Sequence, residues 1–263
     1  MRVMTLNVWG GKVYSPLMDF ITKYANKVDI FCFQEVLFGS DEVFTKKHMG
    51  RVNIFSEIQK LLPNFIPINY YAPDNVTYFL DDLLPHGTLS GQVIFVHNSL
   101  SIISSDNFRG HKGENHLKID FGGDITGSFQ CVTVMDKTNK ITTIVNIHGL
   151  WQKETNKLDT NNRLLQSYTF CDFIKSRIKH LILCGDFNLL PCTKSLNMIE
   201  QLGMINLIKT FNINSTRSNL YTKKEKFADY IFISPDINVI TFEVVQETVS
   251  DHLPLYLDFS VSV

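Results

Sequence analysis

The sequence is poor in the features that mark several large classes of protein. Of its 263 residues only five are cysteine, Cys32, Cys131, Cys171, Cys184 and Cys192, and no two stand in Cys-x-x-Cys spacing. An odd, scattered set argues against a disulfide framework and against a cysteine-built zinc site. It predicts reduced thiols buried as small hydrophobes in a reducing compartment. No apolar run approaches the ~18 residues of a membrane-crossing helix, so none is expected. The chain enters a strand-like run, Val3-Met4-Thr5-Leu6, with no secretory leader before it, and a cytoplasmic location is the expectation. Surplus charge is also missing. A net charge of −1 argues against a protein that coats nucleic acid, although a local basic cleft is compatible with it. There is no linker, low-complexity tract or sequence repeat, and residues 1–263 are expected to form one domain.

What the chain does have is apolar mass and punctuation. The hydrophobic fraction is 44%, and 20 phenylalanines are spread along the whole length, as a layered core requires. Strand-like runs fall at 2–8, Val28–Phe33, Val93–His97, Leu117–Phe121, Phe129–Met135, Ile141–Ile147, Leu181–Cys184, Tyr230–Ile233, Val239–Val245 and Leu255–Val261. Helical spacing marks a segment opened by Ser15 as N-cap and Pro16, with Leu17, Phe20, Ile21 and Tyr24 on one face. Further helices are expected near 51–62 and 163–177, and after Thr193 or Ser195 as cap. Helices alternating with strands, with hairpin-like pairs among them, predict a mixed α/β layered fold.

Six polar clusters interrupt the apolar runs. Ser250-Asp251-His252-Leu253-Pro254-Leu255 sets an imidazole beside a carboxylate at the mouth of a strand, and histidine is the side chain that titrates nearest neutrality. Asp229 starts another strand, where it either orients the His252 ring or accepts backbone donors. In Leu181-Ile182-Leu183-Cys184-Gly185-Asp186-Phe187-Asn188, Asp186 and Asn188 offer hard oxygen ligands two residues apart. Asn146 and His148 share a strand face, and taken alone His148 reads as a satisfied structural residue. Glu35 follows a run so apolar that it must be paired, exposed or metal-bound. Asn7, before two glycines, reads by itself as a turn-closing residue. Together the clusters repeat one pattern, strand and then hard acceptor or imidazole. In open α/β sheets ligands gather at such strand ends, so the pattern suggests a divalent-metal site that handles an anion, most simply a phosphate.

The pieces Leu-Asn-Val-Trp-Gly, Gln-Glu-Val, Asn-Ile-His-Gly, Gly-Asp-Phe-Asn, Ala-Asp-Tyr-Ile-Phe and Ser-Asp-His-Leu-Pro-Leu span residues 6 to 255. In that order they resemble the endonuclease/exonuclease/phosphatase superfamily with its DNase I-like fold. The resemblance implies a four-layer α/β/β/α sandwich of two mixed β-sheets flanked by helices. It also implies a Mg²⁺- or Mn²⁺-dependent phosphodiesterase or phosphatase. Position by position, Glu35 would be the principal metal ligand, with Asn7 in support and Asp251 beside the ion. Asp186 and Asn188 would hold the nucleophilic water and the phosphate. His252, oriented by Asp229, would bond the phosphate or move a proton, and His148 would stabilise developing charge or protonate the leaving oxygen. The general base is left between Asp186 and His252.

The chain departs from the pattern at Trp9, where apurinic endonucleases carry a carboxylate, and at His148, where they lack histidine. Both departures argue against an abasic-site enzyme. Phe227 replaces a basic residue, and Lys226 or Arg217 is expected to supply that charge to substrate. The resemblance thus implies a nuclease or nucleotide phosphodiesterase, with a phosphoinositide or sphingomyelin hydrolase as the alternative. A catalytically inactive binding module is the rival from another class. The loops at 72–91 and 109–127 are expected to shape substrate choice. Phe79, Leu80, Leu83 and Leu84 either form an apolar lip for lipid or, as the preferred reading, pack in a hairpin.

Overall fold

The computed structural model describes residues 1–39, 50–71, 78–79, 82–83, 87–109, 128–152 and 155–261. In chain order the elements are β1 (Arg2–Asn7), α1 (Tyr14–Tyr24), β2 (Ile30–Phe38), α2 (Ile54–Leu61), β3 (Phe65–Tyr71), β4 (Tyr78–Phe79), β5 (Asp82–Leu83), β6 (Leu89–His97) and β7 (Ser101–Arg109). They continue with β8 (Ser128–Met135), β9 (Ile141–His148), α3 (Asn161–Ile174), β10 (Leu181–Asp186), α4 (Lys194–Gln201), β11 (Ile205–Asn206), α5 (Leu207–Thr210), β12 (Asp229–Ile233), β13 (Ile237–Val244) and β14 (Leu255–Val261). The strands build two six-stranded sheets, β13-β14-β1-β2-β6-β3 and β11-β12-β10-β9-β8-β7. Each has one parallel pair at its centre, β1 with β2 and β9 with β10, and is otherwise antiparallel.

Strict alternation along the central strands of the first sheet separates its two faces. Val3, Ile30, Cys32, Ile94 and Val96 point into the core shared with the second sheet. Met4, Leu6, Phe31, Phe33, Val93 and Phe95 point outward, against Leu17, Phe20 and Ile21 of α1 and Ile54 and Ile58 of α2. On the far side Phe170 and Ile174 of α3 and Leu196 and Ile199 of α4 cover the second sheet. The result is the expected helix/sheet/sheet/helix sandwich. Each fully buried Phe of these layers contributes about 1.5–3 kcal/mol. No helix among the described residues is long and apolar enough to cross a membrane.

The structure corrects several sequence expectations. α1 begins at Tyr14 with Val13 as an N-cap that lacks a side-chain bond, so Ser15 is not the cap. Pro16 still falls in the first turn, where its missing N–H has no intrahelical partner to lose. α4 starts after Thr193, but the acceptor for its first amides is remote. Asp159 takes bonds from Lys194 N at 2.6 Å and Ser195 N at 3.0 Å. β3 and β7 were not expected. Both are edge strands, one carrying Pro67 and the other reading Ser-Ile-Ile-Ser-Ser-Asp-Asn, and edges do not need the alternation of a doubly packed strand. The strand expected at Leu117–Phe121, the loop 109–127 beyond Arg109 and most of 72–91, including Leu80 and Leu84, lie outside the described residues.

Topology carries the polar clusters to one end of both sheets. β1 and β2 run parallel with Asn7 opposite Gln34. In the second sheet Asp186 is paired with His148 on one side and with Asp229 on the other. β14 runs antiparallel to β1 with Leu255 opposite Thr5, which puts His252, three residues earlier, beyond the same end.

Candidate active site

β2 does not stop at Glu35 as its sequence suggested. It continues to Phe38, and the register against β6 skips from Gln34–Gln92 to Val36–Gly91. Glu35 is the extra residue of this β-bulge, with φ 54. A bulge re-aims a side chain without ending the strand, and a left-handed non-glycine residue is held only where its surroundings enforce it. Thus aimed, Glu35 Oε1 lies 3.8 Å from His148 Nε2, and Oε2 is sealed from solvent without a hydrogen-bond partner. Burial pushes its carboxyl pKa up, and the His148 imidazole and the Asn7 amide only partly counter that.

Asn7 is completely buried and links the two sheets. Its Nδ2 donates to Asp186 Oδ2 at 3.1 Å, and its Oδ1 accepts from Trp9 N at 2.9 Å. Asp186 Oδ1 accepts from Asn188 N at 2.8 Å. Burial alone would raise the Asp186 carboxyl. The His252 imidazole, with Lys157, Arg217 and His148, overrides burial and holds it far below the usual carboxylate range.

His252, 3% exposed, is fixed on its Nδ1 side by Asp229, whose oxygens lie at 2.8 and 2.9 Å. Thr216 Oγ1 in turn donates to Asp229 Oδ2 at 3.1 Å. On the other side His252 Nε2 faces Asp186 Oδ2 at 3.6 Å and Asp251 Oδ1 at 3.8 Å. Burial and Arg217 pull the imidazole pKa down, but the three aspartates outweigh them and it ends raised. Arg217 Nη1 donates to Asp251 Oδ2 at 2.9 Å, and its guanidinium stacks 4.1 Å from the Tyr221 ring centroid.

Of the residues singled out by sequence, Asn7, Glu35, His148, Asp186, Asn188, Asp229, Asp251 and His252 converge, and Arg217 joins them. Lys226 does not. It is exposed, and the described contacts use only its backbone carbonyl, which accepts from Thr216 N and Ser215 Oγ. Three residues before Asp229, Lys226 lies outside β12 and is not placed by the strand pairing that positions Asp229, so nearness in sequence was a poor guide. Sequence reasoning missed Gln34, Lys157, Thr216 and Tyr221. Lys157, in the loop after β9, donates from a buried Nζ to Asn188 Oδ1 at 3.1 Å.

Among the described residues, two sets of three groups have ligand atoms within 4.8 Å of one another, Glu35–His148–Asp186 and Asp186–Asp229–His252. The first fits a divalent cation. A carboxylate oxygen without a partner, raised in pKa by burial, is what a cation would satisfy. The second set is already occupied by its own hydrogen bonds.

Two mixed sheets packed face to face, helices outside, and acids, amides and imidazoles gathered at one end define the DNase I-like fold. The chain belongs to the endonuclease/exonuclease/phosphatase family, whose model matches residues 4–252. Its members generally hydrolyse phosphoester bonds and commonly use divalent metals. Solved structures agree in fold. A family protein from Bacteroides vulgatus is 18% identical with TM-score 0.68, over 99% of this chain and 98% of that one. A mannosyl-6-phosphatase from Bacteroides thetaiotaomicron is 17% identical with TM-score 0.67, over 99% of both. The human Nocturnin catalytic domain, with a bound sulfate, is 20% identical with TM-score 0.71, over 100% of this chain and 93% of that one. Among curated proteins none matches the chain.

Proposed function

We propose that the chain, read over 1–263 as one domain, is a divalent-metal-dependent phosphoester hydrolase. Its substrate in this reading is a nucleotide or a nucleic-acid end. The observation that carries the reading is the Glu35 carboxylate, bent into the cluster by a bulge and left with a buried, unpartnered oxygen. Glu35, with Asn7 and Asp251, would hold Mg²⁺ or Mn²⁺. Such hard cations prefer oxygen ligands, which leaves the His148 ring free for proton work. When bound, the ion offsets the charge that develops on the non-bridging phosphate oxygens.

The protein's own groups divide the remaining work. Asp186, kept ionised by its cationic surroundings, accepts a proton of the attacking water, and Asn188 beside it orients water and phosphate. His252, steered by Asp229, donates from Nε2 to a phosphate oxygen. His148, across from Glu35, gives its proton to the leaving oxygen. A binding module without activity would be expected to have lost one of Glu35, Asp186, Asp251 or His252, and all four are present. A net charge of −1 favours a small or single-stranded substrate over long duplexes, since each phosphate contact wants a Lys or Arg.

The test is a Mg²⁺/Mn²⁺ activity panel over single- and double-stranded DNA, RNA, nucleotides, sugar phosphates, phosphoinositides and sphingomyelin, with His252→Ala as control. Metal-dependent turnover of one class, reduced roughly 10²-fold or more in the variant, is expected. Turnover that needs no metal, or that survives in His252→Ala, overturns the reading.

A further inference from the structure

The loop between β9 and α3 holds a side chain that its sequence gives no reason to bury. Lys157 is 6% exposed in a stretch reading Thr-Asn-Lys-Leu-Asp. Lys157 and Asn156 before it both have left-handed backbones, φ 57 and 49. Non-glycine residues there cost on the order of 1 kcal/mol each or more, so two in succession need a clamp. Arg163, 2% exposed, supplies it. Its Nε donates to Leu150 O at 3.2 Å, and its Nη1 donates to Thr155 Oγ1 at 2.7 Å and Leu158 O at 2.6 Å. From the opposite side Leu190 N donates to Lys157 O at 3.0 Å.

The clamp turns the ammonium inward. Nζ bonds Asn188 Oδ1 at 3.1 Å and lies 5.9 Å from the Tyr221 ring centroid. An ammonium has three donors, and Asn188 is its one hydrogen-bond partner among the described residues. Asp186, Asp229 and Asp251 act on it through space, opposed by Arg217. Burying a cation with two donors to spare is costly unless an anion completes the set. Strained backbone, a dedicated guanidinium clamp and spare donors beside Asn188 all aim at the same point. Lys157 also settles the orientation of Asn188. Because an ammonium only donates, the amide must turn its oxygen to Lys157. Nδ2 then spends one proton on Gly149 O at 3.1 Å and keeps the other.

We propose that Lys157 is a phosphate-contacting residue of this site, giving its two remaining donors to non-bridging oxygens of the substrate on the Asn188 side. The inference rests on the phosphoester reading above and extends it to a residue no motif marks. Burial brings the Lys157 pKa down to about 8, so the cation is present at neutral pH and fades above it.

The probe is inorganic phosphate, titrated calorimetrically with Mg²⁺ into the full chain, into Lys157→Met and into Lys157→Arg. Met keeps the stem and suits a buried position, and thermal unfolding checks that each variant is folded. Lys157→Met is expected to weaken phosphate binding roughly tenfold or more at pH 7, and Lys157→Arg to retain most of it. At about pH 9.5 the wild type should lose its advantage over Lys157→Met. A folded Lys157→Met that binds phosphate like the wild type overturns the proposal, as does a wild type that binds none. If the wild type hydrolyses no phosphoester yet binds phosphate through Lys157, the hydrolase reading falls and this one stands. If the wild type is active and Lys157→Met matches it in kcat/KM and phosphate affinity, the reverse holds.

Discussion

Replacing Asp229 with Asn tests the orientation of His252, and the structure dictates what the new amide must do. Thr216 Oγ1 already accepts two backbone donors, Ala228 N and Asp229 N, each at 3.2 Å. A hydroxyl has one proton and two acceptor sites, so its proton is committed to Asp229 Oδ2, 3.1 Å away. In Asp229→Asn the atom at that position must therefore be the amide oxygen. The NH₂ group is forced into the Oδ1 position, 2.8 Å from His252 Nδ1. It donates where the carboxylate accepted, and the ring is driven to the tautomer protonated only on Nε2. The lost charge-assisted bond is worth about 1.5–3 kcal/mol, or roughly 10–150-fold in rate. The imidazolium is disfavoured although Nε2–H still donates, so kcat is expected to fall within that roughly 10–150-fold range. The assay is kcat against pH, with imidazole ¹⁵N shifts reporting the tautomer. Adding Thr216→Val to Asp229→Asn frees the amide to flip and should recover roughly tenfold in kcat, while the orphaned N–H groups cost about 1–3 kcal/mol of stability. An Asp229→Asn protein within threefold of wild type and with unchanged ¹⁵N shifts would refute the reasoning.

Two further perturbations separate metal binding and backbone from chemistry. The raised Glu35 pKa means that its contribution to stability is full below the unfolded value of about 4.3 and is lost as pH rises through the folded value. Glu35→Gln should then raise the metal-free unfolding midpoint at pH 7 by about 3–6 °C, whereas Mg²⁺ should stabilise only the wild type; calorimetry with and without the ion decides. Gly185→Ala is expected to cost about 3 kcal/mol or more in denaturant unfolding, because φ is 132 and a Cβ would stand 2.1 Å from Ile147 O. Gly203→Ala, also at positive φ but with nothing within 4 Å, should cost only about 1 kcal/mol, and equal losses would defeat the steric argument.

The parts of the site that were legible in sequence share one cause. A polar residue that ends or interrupts a buried strand is conspicuous against its apolar neighbours, and Asn7, His148, Asp186, Asp229 and His252 all announce themselves in that way. Glu35 was legible as a residue but not as a conformation. Its bulge depends on the register against β6, a strand more than fifty positions away. Lys157 carried no signal at all, because its burial is imposed by Arg163 from the following helix and its segment has no periodicity. The same non-locality hid the cap of α4, supplied by Asp159 from before α3, and the hydroxyl of Thr216 behind Asp229. In the fold, the central strands followed from alternation and apolar runs. The edge strands β3 and β7 did not, since one exposed side relaxes the constraint that makes a strand readable.

The separation of Glu35 and His148 is a property of how the two sheets are locked, and the lock lies next to the site. Two apolar faces packed together resist separation better than they resist sliding, because burial is non-directional. Here a polar seam crosses the interface. Gln34 Nε2 donates to Thr5 Oγ1 at 3.0 Å within its own sheet and to Asn146 Oδ1 at 2.6 Å in the other. Asn146 Nδ2 returns a bond to Phe33 O at 3.2 Å, and Gln92 Nε2 donates to Asn146 O at 3.2 Å. Gln34, Gln92 and Asn146 are fully buried, so slipping one sheet along the other would leave amides unpaired in an apolar setting, at about 1–3 kcal/mol for each group. Glu35 follows Gln34 directly, and His148 lies two residues beyond Asn146 on the same face of β9. With the seam fixed one or two residues away, the carboxylate and the imidazole cannot drift apart. Their 3.8 Å spacing thus follows from the amides that lock the sheets and needs no direct bond between the two groups.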